Sequence, residues 1–193
     1  MLKLNETPVR TARNFNINNI KIDEADVIYK NQGFDNIEIN GIDIDYVSDD
    51  VSKCDLVYGV SESLLEEIEN NANHRLKLML SSNSNVEILN TFDEDNISLI
   101  DNIEIVANEN TTSSILIKYQ TEEDLKYYHN GLIRVHANNN AKVNVTIVNF
   151  LNGKSSNFLS IENDIQDNAN VNYIIVDFGG KNSITNYYSN NFR

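Results

Sequence analysis

Val143-Asn144-Val145-Thr146-Ile147-Val148-Asn149-Phe150 is followed, 28 residues on, by Val171-Asn172-Tyr173-Ile174-Ile175-Val176-Asp177-Phe178. The two segments agree at five of eight positions without a gap. The same period links Ile115 to Val143 and Val171, Ile117 to Val145 and Tyr173, and Tyr119 to Ile147 and Ile175. A second apolar column, Ile105, Ile133 and Ile161, keeps it. Between the columns a turn recurs as Asn138-Asn139-Asn140-Ala141 and Gln166-Asp167-Asn168-Ala169. A fixed period in the range of roughly 20–50 residues marks stacked supersecondary units. Each unit here carries two β-runs and no helix signal. Stacking such units sets equivalent residues above one another in parallel register, with inward side chains forming apolar ladders. The spacing predicts a mainly β chain built as a parallel β-helix, about 28 residues per coil, over residues 85–193. An antiparallel β-sandwich also produces regular strands, but it does not require gap-free equivalence at this distance.

Two features disturb the columns. Asn163 falls where Ala107 and Val135 would point inward, and Glu109 falls where Ala137 and Ile165 do. A bulge or loop is expected at both. Val148 and Phe150, like Val176 and Phe178, are out of phase with the inward set. The expectation is that the chain rounds a corner there and turns them inward. The other reading is an outward apolar stripe suited to subunit pairing.

Residues 1–84 read as a smaller mixed α/β region. Ile37-Glu38-Ile39-Asn40-Gly41-Ile42-Asp43-Ile44 alternates as a strand does. Ser61 is a helix cap, Glu62, Glu66 and Glu67 suit the positive end of the helix dipole, and Leu64, Leu65, Ile68 and Ala72 share a face. His74, Arg75 and Lys77 are placed toward its C-terminal end, with the Asn70-Asn71-Ala72-Asn73 run as the point where it stops.

Composition narrows the function. Fifteen basic residues against 29 acidic ones give a net charge of −14, which repels nucleic-acid backbones. One Cys in 193 residues excludes an intrachain disulfide framework and a Cys-rich metal site. No apolar run approaches the roughly 20 residues of a bilayer span, and MLKLNETPVRTARNF has no apolar signal core. The expectation is a cytoplasmic protein that binds neither nucleic acid nor membrane. The matches to Asn-x-Ser/Thr at Asn5, Asn96, Asn110 and Asn144 are then chance. Asn itself is abundant, with 34 residues. That richness also fits an AT-rich coding bias, but Asn recurs at the turns, where left-handed backbone is needed.

Single residues with reactive chemistry read blandly. Cys54, beside Lys53, could be a sulfur acceptor because a cation lowers a thiol's pKa; as a small apolar residue before Leu56-Val57 it needs no such role. Leu132, Arg134 and His136 share the strand face opposite Ile133, Val135 and Ala137, so His136 is expected to point outward as a solvated side chain. His129, beside Asn130-Gly131, reads as part of a turn, and the three His residues lack zinc spacing. Asp43/Asp45, Asp49/Asp50, Glu66/Glu67 and Glu122/Glu123 resemble the acid pairs of β-helix polysaccharide enzymes only in composition, since they fall mainly in loops and on the helix. Gly179-Gly180-Lys181 is too short for a phosphate loop and reads as a turn.

Leu4-Asn5-Glu6-Thr7-Pro8-Val9-Arg10-Thr11 with Phe15-Asn16-Ile17-Asn18, and the repeat segments Leu132-Ile133-Arg134-Val135 and Asn140-Ala141-Lys142-Val143, resemble the SufB/SufD family. These are scaffold subunits of the SUF iron–sulfur cluster assembly system, and the resemblance spans most of the chain. It implies a right-handed parallel β-helix and a non-catalytic scaffold role beside a SufC-type ATPase and a second SufB/SufD-type subunit. The family's further coils and C-terminal helical segment, which docks SufC, are not matched, so the chain looks truncated before that segment. The open end of the β-helix is then expected either to pair with another copy as a homodimer or to fray beyond about residue 180. No position matches the family's cluster-building residues, so no catalytic, cofactor-binding or metal residue is assigned, and no cofactor is expected on this chain alone. A Fe–S cluster belongs to the full complex. A β-helix carbohydrate-active enzyme and a free-standing interaction module are the competing classes.

Overall fold

In the alternating runs every second side chain is apolar, so each run buries one face as a strand and leaves the other outward. The computed structural model describes residues 2–3, 21–22, 33–52 and 59–191. Strand β1 (Leu2–Lys3) pairs antiparallel with β2 (Lys21–Ile22), and β3 (Ile37–Ser48) pairs antiparallel with β4 (His74–Phe92). Strand β4 runs along two sides of a coil. Its His74–Leu80 half pairs in parallel with β5 (Ser98–Ala107), and its Asn85–Phe92 half with β6 (Thr112–Thr121). On β5 stack β7 (Tyr128–Ala137), β9 (Ser156–Ile165) and β11 (Asn182–Asn191). On β6 stack β8 (Lys142–Phe150) and β10 (Asn170–Asp177). All pairings among β4 to β11 are parallel. The chain is a parallel β-solenoid of about four turns, as the repeat predicted.

The inward residues form one core that includes Leu78, Ile88, Ile103, Ile105, Ile117, Ile133, Val143 and Val145. At the corner between the two stacks, Asn110, Asn140 and Asn168 each adopt the left-handed conformation, with φ of 61°, 60° and 57°. A side chain that tolerates this region turns the backbone there without the strain a β-branched residue would incur. The coils are tied at this corner by the Asn110 N–H to Asn139 C=O and the Asn140 N–H to Asp167 C=O bonds, both 3.0 Å, and by Asn140 Nδ2 to Asn110 Oδ1 at 3.1 Å.

The period is not constant. Ser98 pairs with Tyr128, 30 residues on; Tyr128 with Ser156, 28 on; and Ser156 with Asn182, 26 on. The connections outside the corner shorten from 122–127 to 151–155 to 178–181, and β6, β8 and β10 shorten from 10 to 9 to 8 residues; together these take up the difference. The expected columns are therefore corrected in the first coils. Ile133 stacks on Ile103, not Ile105, and Val145 stacks on Ile115, not Ile117. The shift is two residues, so the inward face is unchanged. The stacks Val145–Tyr173 and Ile133–Ile161 stand.

Two further expectations are overturned and one is met. Asn163 sits on no bulge: β9 pairs with β7 in unbroken register, and Asn163 is buried inward, accepting from Tyr173 Oη at 2.6 Å and donating to the Tyr188 carbonyl at 3.3 Å. At Glu109 the expected loop is present: the residue lies exposed in the corner turn between β5 and β6, and it is Ala107 that stacks on Ala137. Phe150 and Phe178 do not turn inward. They are 42% and 66% exposed and stack on each other at 4.6 Å, with Lys118 Nζ 5.5 Å from the Phe150 ring. The inward position between Val148 and Phe150 is taken by Asn149, which is buried.

Helix α1 (Glu62–Asn71) begins where expected, with Ser61 Oγ accepting the Leu64 N–H at 3.2 Å. Its Leu64 and Ile68, with Val60, pack on the outward residues Ile100, Tyr128, Leu132 and Phe158. His74, Arg75 and Lys77 are not on the helix. They open β4, although Arg75 still reaches back to the Glu69 carbonyl at 3.1 Å.

The stacking makes a direct test. Val145 is 1% exposed between Ile115 and Tyr173. Val145→Asp would place an unpaired carboxylate in the core and is expected to cost about 3–5 kcal/mol. Asn144→Asp, exposed one residue away, keeps an oxygen for the Asn172 amide and should unfold within about 0.5 kcal/mol of wild type. Urea denaturation of the two variants checks the register.

Candidate functional site

The inward face is apolar along most of each coil but not at the start of β5, β7 and β9. There Asp101, His129 and Asn157, spaced by 28 residues, all point inside and are at most 3% exposed. His129 Nε2 lies 3.1 Å from Asp101 Oδ1, and His129 Nδ1 lies 2.6 Å from Asn157 Oδ1. Tyr119, from β6, donates its hydroxyl to Asp101 Oδ2 at 2.9 Å, and its ring lies 4.1 Å from the His129 ring. Burial, and then the Asp101 charge, push the Tyr119 phenol well above its ordinary value. The row continues outward. Asn157 Nδ2 donates to Ser183 Oγ at 3.2 Å, and Ser183 Oγ donates to Asp177 Oδ2. Asp177 Oδ1 also accepts from Asn149 Nδ2 and from the Gly179 N–H, each at 2.9 Å.

Gly131 makes this arrangement possible. It pairs with Asp101 across the strands. A Cβ there would lie 2.3 Å from Asp101 Oδ1 and 2.7 Å from His129 Nε2. His74, on β4, also pairs with Asp101. Burial lowers its pKa, opposed by the Asp101 charge, and its Nε2 is buried without a hydrogen-bond partner.

A second constellation lies outside. Lys77, Glu104, Arg134 and Glu162 stand opposite one another on β4, β5, β7 and β9, alternating in sign. Lys77 Nζ is 3.1 Å and Arg134 Nη2 3.8 Å from the Glu104 carboxylate. Ser52 docks on this row: its N–H and hydroxyl donate to Glu104 at 2.6 and 3.0 Å, and its carbonyl accepts from Arg134 at 2.8 Å. Burial alone would raise the Glu104 carboxyl. The Ser52 N–H, Lys77, the Ser52 hydroxyl and the Arg134 charge outweigh it and hold the carboxyl below its ordinary value.

The candidates read from sequence distribute as follows. Cys54 lies outside the described residues, as do the N-terminal stretches Leu4–Thr11 and Phe15–Asn18. His136 points outward as expected but is half-buried, 3.9 Å from Glu104 and 3.7 Å from Asp164. His129 is not in a turn; it is a fully buried β7 residue, because Asn130 spends its amide on the Leu64 carbonyl and the Glu67 carboxylate rather than on a local turn. Glu67 is buried against Tyr128 and Asn130, while Glu66 is exposed, so that pair is split between two environments. Asp49, Asp50, Glu122 and Glu123 are exposed, and Asp43 and Asp45 lie in β3. Gly179 and Gly180 have φ of 126° and 149° and form the connection from β10 to β11. Among the described residues no group of three or more His, Cys, Asp and Glu could hold a metal ion, and no helix is long and apolar enough to cross a membrane. Asp101, Tyr119, Asn157 and Ser183 were not singled out from sequence. The 28-residue spacing of Asp101, His129 and Asn157 was the signal that could have found three of the buried polar residues.

These features define a class: a parallel β-solenoid with a helix laid on one outer face and a polar row sealed at the mouth of one inner face. Residues 89–191 match the family model SUFBD_core, described as SUF system FeS cluster assembly, SufBD core domain. The chain belongs to this family, whose members are scaffold-type components of SUF iron–sulfur cluster assembly. No curated protein and no solved structure matches significantly.

Gly131→Ala tests the close approach. It should cost about 1–3 kcal/mol, since Asp101 and His129 are packed and cannot both move aside. Gly153→Ala, where a Cβ meets nothing within 4 Å, is the control and should leave the melting temperature unchanged.

Proposed function

We propose that this chain is a non-catalytic platform for iron–sulfur cluster assembly, working with a SufC-type ATPase and a second SufB/SufD-type subunit. The observation that carries this reading is the coincidence of the family match, 89–191, with the stacked coils β5 to β11. Among the described residues the outer strands of the two stacks, β10 and β11, each pair on one side only. Unpaired strand edges bind further strands readily. Ile175 on β10 is 42% exposed, and Tyr187 on β11 is 48% exposed and packs edge-on against Tyr173. These edges suit a second SufB/SufD-type subunit or, when the chain is alone, another copy of itself. A cytoplasmic location and a division into 1–84 and 85–193 belong to the same reading.

The acid pairs give little support to a carbohydrate-active alternative, because Glu67 is committed to Tyr128 and Asn130 and the exposed pairs sit on separate elements.

Co-expression with a SufC-type ATPase and a second SufB/SufD-type subunit tests the proposal. A stoichiometric complex is expected on size-exclusion chromatography, and failure of the chain to associate with either would sink it. Anaerobic reconstitution of the chain alone with iron and sulfide should leave no stable visible absorption, since a cluster normally needs several ligands and the chain has one thiol. A cluster that forms on the single chain and is lost in Cys54→Ser would place the cluster site here instead.

A further inference from the structure

We propose that the contact between His129 and Asp101 holds a proton sealed inside the solenoid, so that two successive coils are latched by a hydrogen bond that exists only while that proton is present. The inference comes from counting hydrogens along the row. Asp177 receives Ser183 Oγ, Asn149 Nδ2 and the Gly179 N–H, so its carboxylate acts as acceptor throughout. The Ser183 hydroxyl hydrogen is thereby used, and toward Asn157 Ser183 can only accept. That fixes the Asn157 amide, with Nδ2 toward Ser183 and Oδ1 toward His129. An amide oxygen accepts and never donates, so His129 Nδ1 must carry a hydrogen.

On the other side of the ring, Nε2 faces Asp101 Oδ1 at 3.1 Å. With Nδ1 already protonated, a neutral imidazole has only a lone pair at Nε2. A lone pair against a carboxylate oxygen in a site with no solvent exposure would be repulsive on both sides. The contact is attractive only if one further hydrogen lies between the two atoms, on nitrogen as an imidazolium facing a carboxylate or on oxygen as a carboxylic acid facing an imidazole. Either distribution leaves the pair neutral as a unit, which is what a dry interior favours.

The other titratable groups around the pair do not supply an alternative. Tyr119, from β6, keeps its proton and donates it to Asp101 Oδ2. His74, from β4, is biased by burial toward its neutral form, and no hydrogen bond joins it to Asp101. On the β9 and β11 side the row reaches a charge only at Asp177, beyond Asn157 and Ser183. Phe92, whose ring centroid is 6.4 Å from that of His129, closes the remaining side with an apolar ring. Asn157 also ends any conduction, because an amide does not pass a proton on as a hydroxyl does. The proton is held, not relayed.

Nitrogen NMR of the full chain labelled in its histidine rings tests this. At neutral pH, His129 should show a hydrogen on Nδ1 and a second, slowly exchanging downfield hydrogen coupled to Nε2. In Asp101→Asn the side-chain amide can donate to a bare Nε2, so the Nε2 resonance should move to the unprotonated range while Nδ1 keeps its hydrogen. A bare Nδ1 in the wild type, or an Nε2 with neither attached nor shared hydrogen, would overturn the proposal. The wild-type spectrum decides even if the variant fails to fold. If Nε2 is unchanged in a folded Asp101→Asn, the hydrogen does not depend on Asp101 and the latch is refuted.

Discussion

Every strand from β4 onward pairs in parallel with the residue one coil away, and β4 also pairs antiparallel with β3. This in-register stacking is the constraint the rest of the structure obeys. A parallel ladder has side chains of equivalent positions in contact, so whatever one coil puts inside must be matched by the next. Aliphatic residues meet this easily, which is why Ile, Leu and Val fill most inward positions. Polar residues can meet it only by bonding to one another along the stack. Asp101, His129, Asn157 and Ser183 do so along one stack, while Tyr173 on β10 reaches across the interior to Asn163 on β9. These inward polar bonds are consequences of the repeat, whereas His74 Nε2 remains inside without a partner.

The outer faces follow different rules because nothing there has to match. On the β5–β7–β9 side, α1 and Ser52 lie on the sheet, and the outward residues divide accordingly. Ile100, Leu132 and Phe158 receive the apolar stripe of the helix, while Glu104 and Arg134 receive the Ser52 backbone. Docking Ser52 on a pair of opposite charges satisfies one N–H and one C=O that would otherwise be half-buried and unbonded. Strand parity alone predicts which side chains leave the coil, but not which of them stay wet. That is why His136, read as a solvated residue, proves half-buried between two carboxylates.

The fold was legible because the second and third coils share a gap-free 28-residue period, so VNVTIVNF and VNYIIVDF expose it directly. The helix start was legible from Ser61 and the spacing of Leu64 and Ile68. The helix end was legible from the Asn70-Asn71-Ala72-Asn73 run, but His74, Arg75 and Lys77, which suit a helix C-terminus by charge, lie on β4, where Leu76, Leu78 and Leu80 alternate as strand residues. His129 was missed for a similar reason. Asn130-Gly131 is a strong local turn signal, yet here the Asn serves the helix and the Gly makes room for Asp101 and His129. Local propensity lost to tertiary contacts in both places. Phe150 and Phe178 were assigned inward because large apolar residues usually are, but β8 keeps strict alternation to its end and gives the inward place to Asn149.

The two-residue error in the first coils shows what sets register in such a fold. Moving Ile133 from Ile105 to Ile103 leaves every inward residue inward, since a strand repeats every two residues. Apolar columns of Ile and Val are nearly indifferent to that slip. Two other features are not. At the corner, Asn110, Asn140 and Asn168 must align for their left-handed turns to stack, and this alignment demands 30 residues between the first two and 28 between the next. At the opposite end of the strand, Asp101 must face Gly131 for its oxygen to reach His129 without a steric clash. Both conditions select the same register, one from each end of the β5–β7 pair. Hydrophobic burial therefore decides that these strands stack, while a few Asn, Gly, Asp and His side chains decide by how many residues.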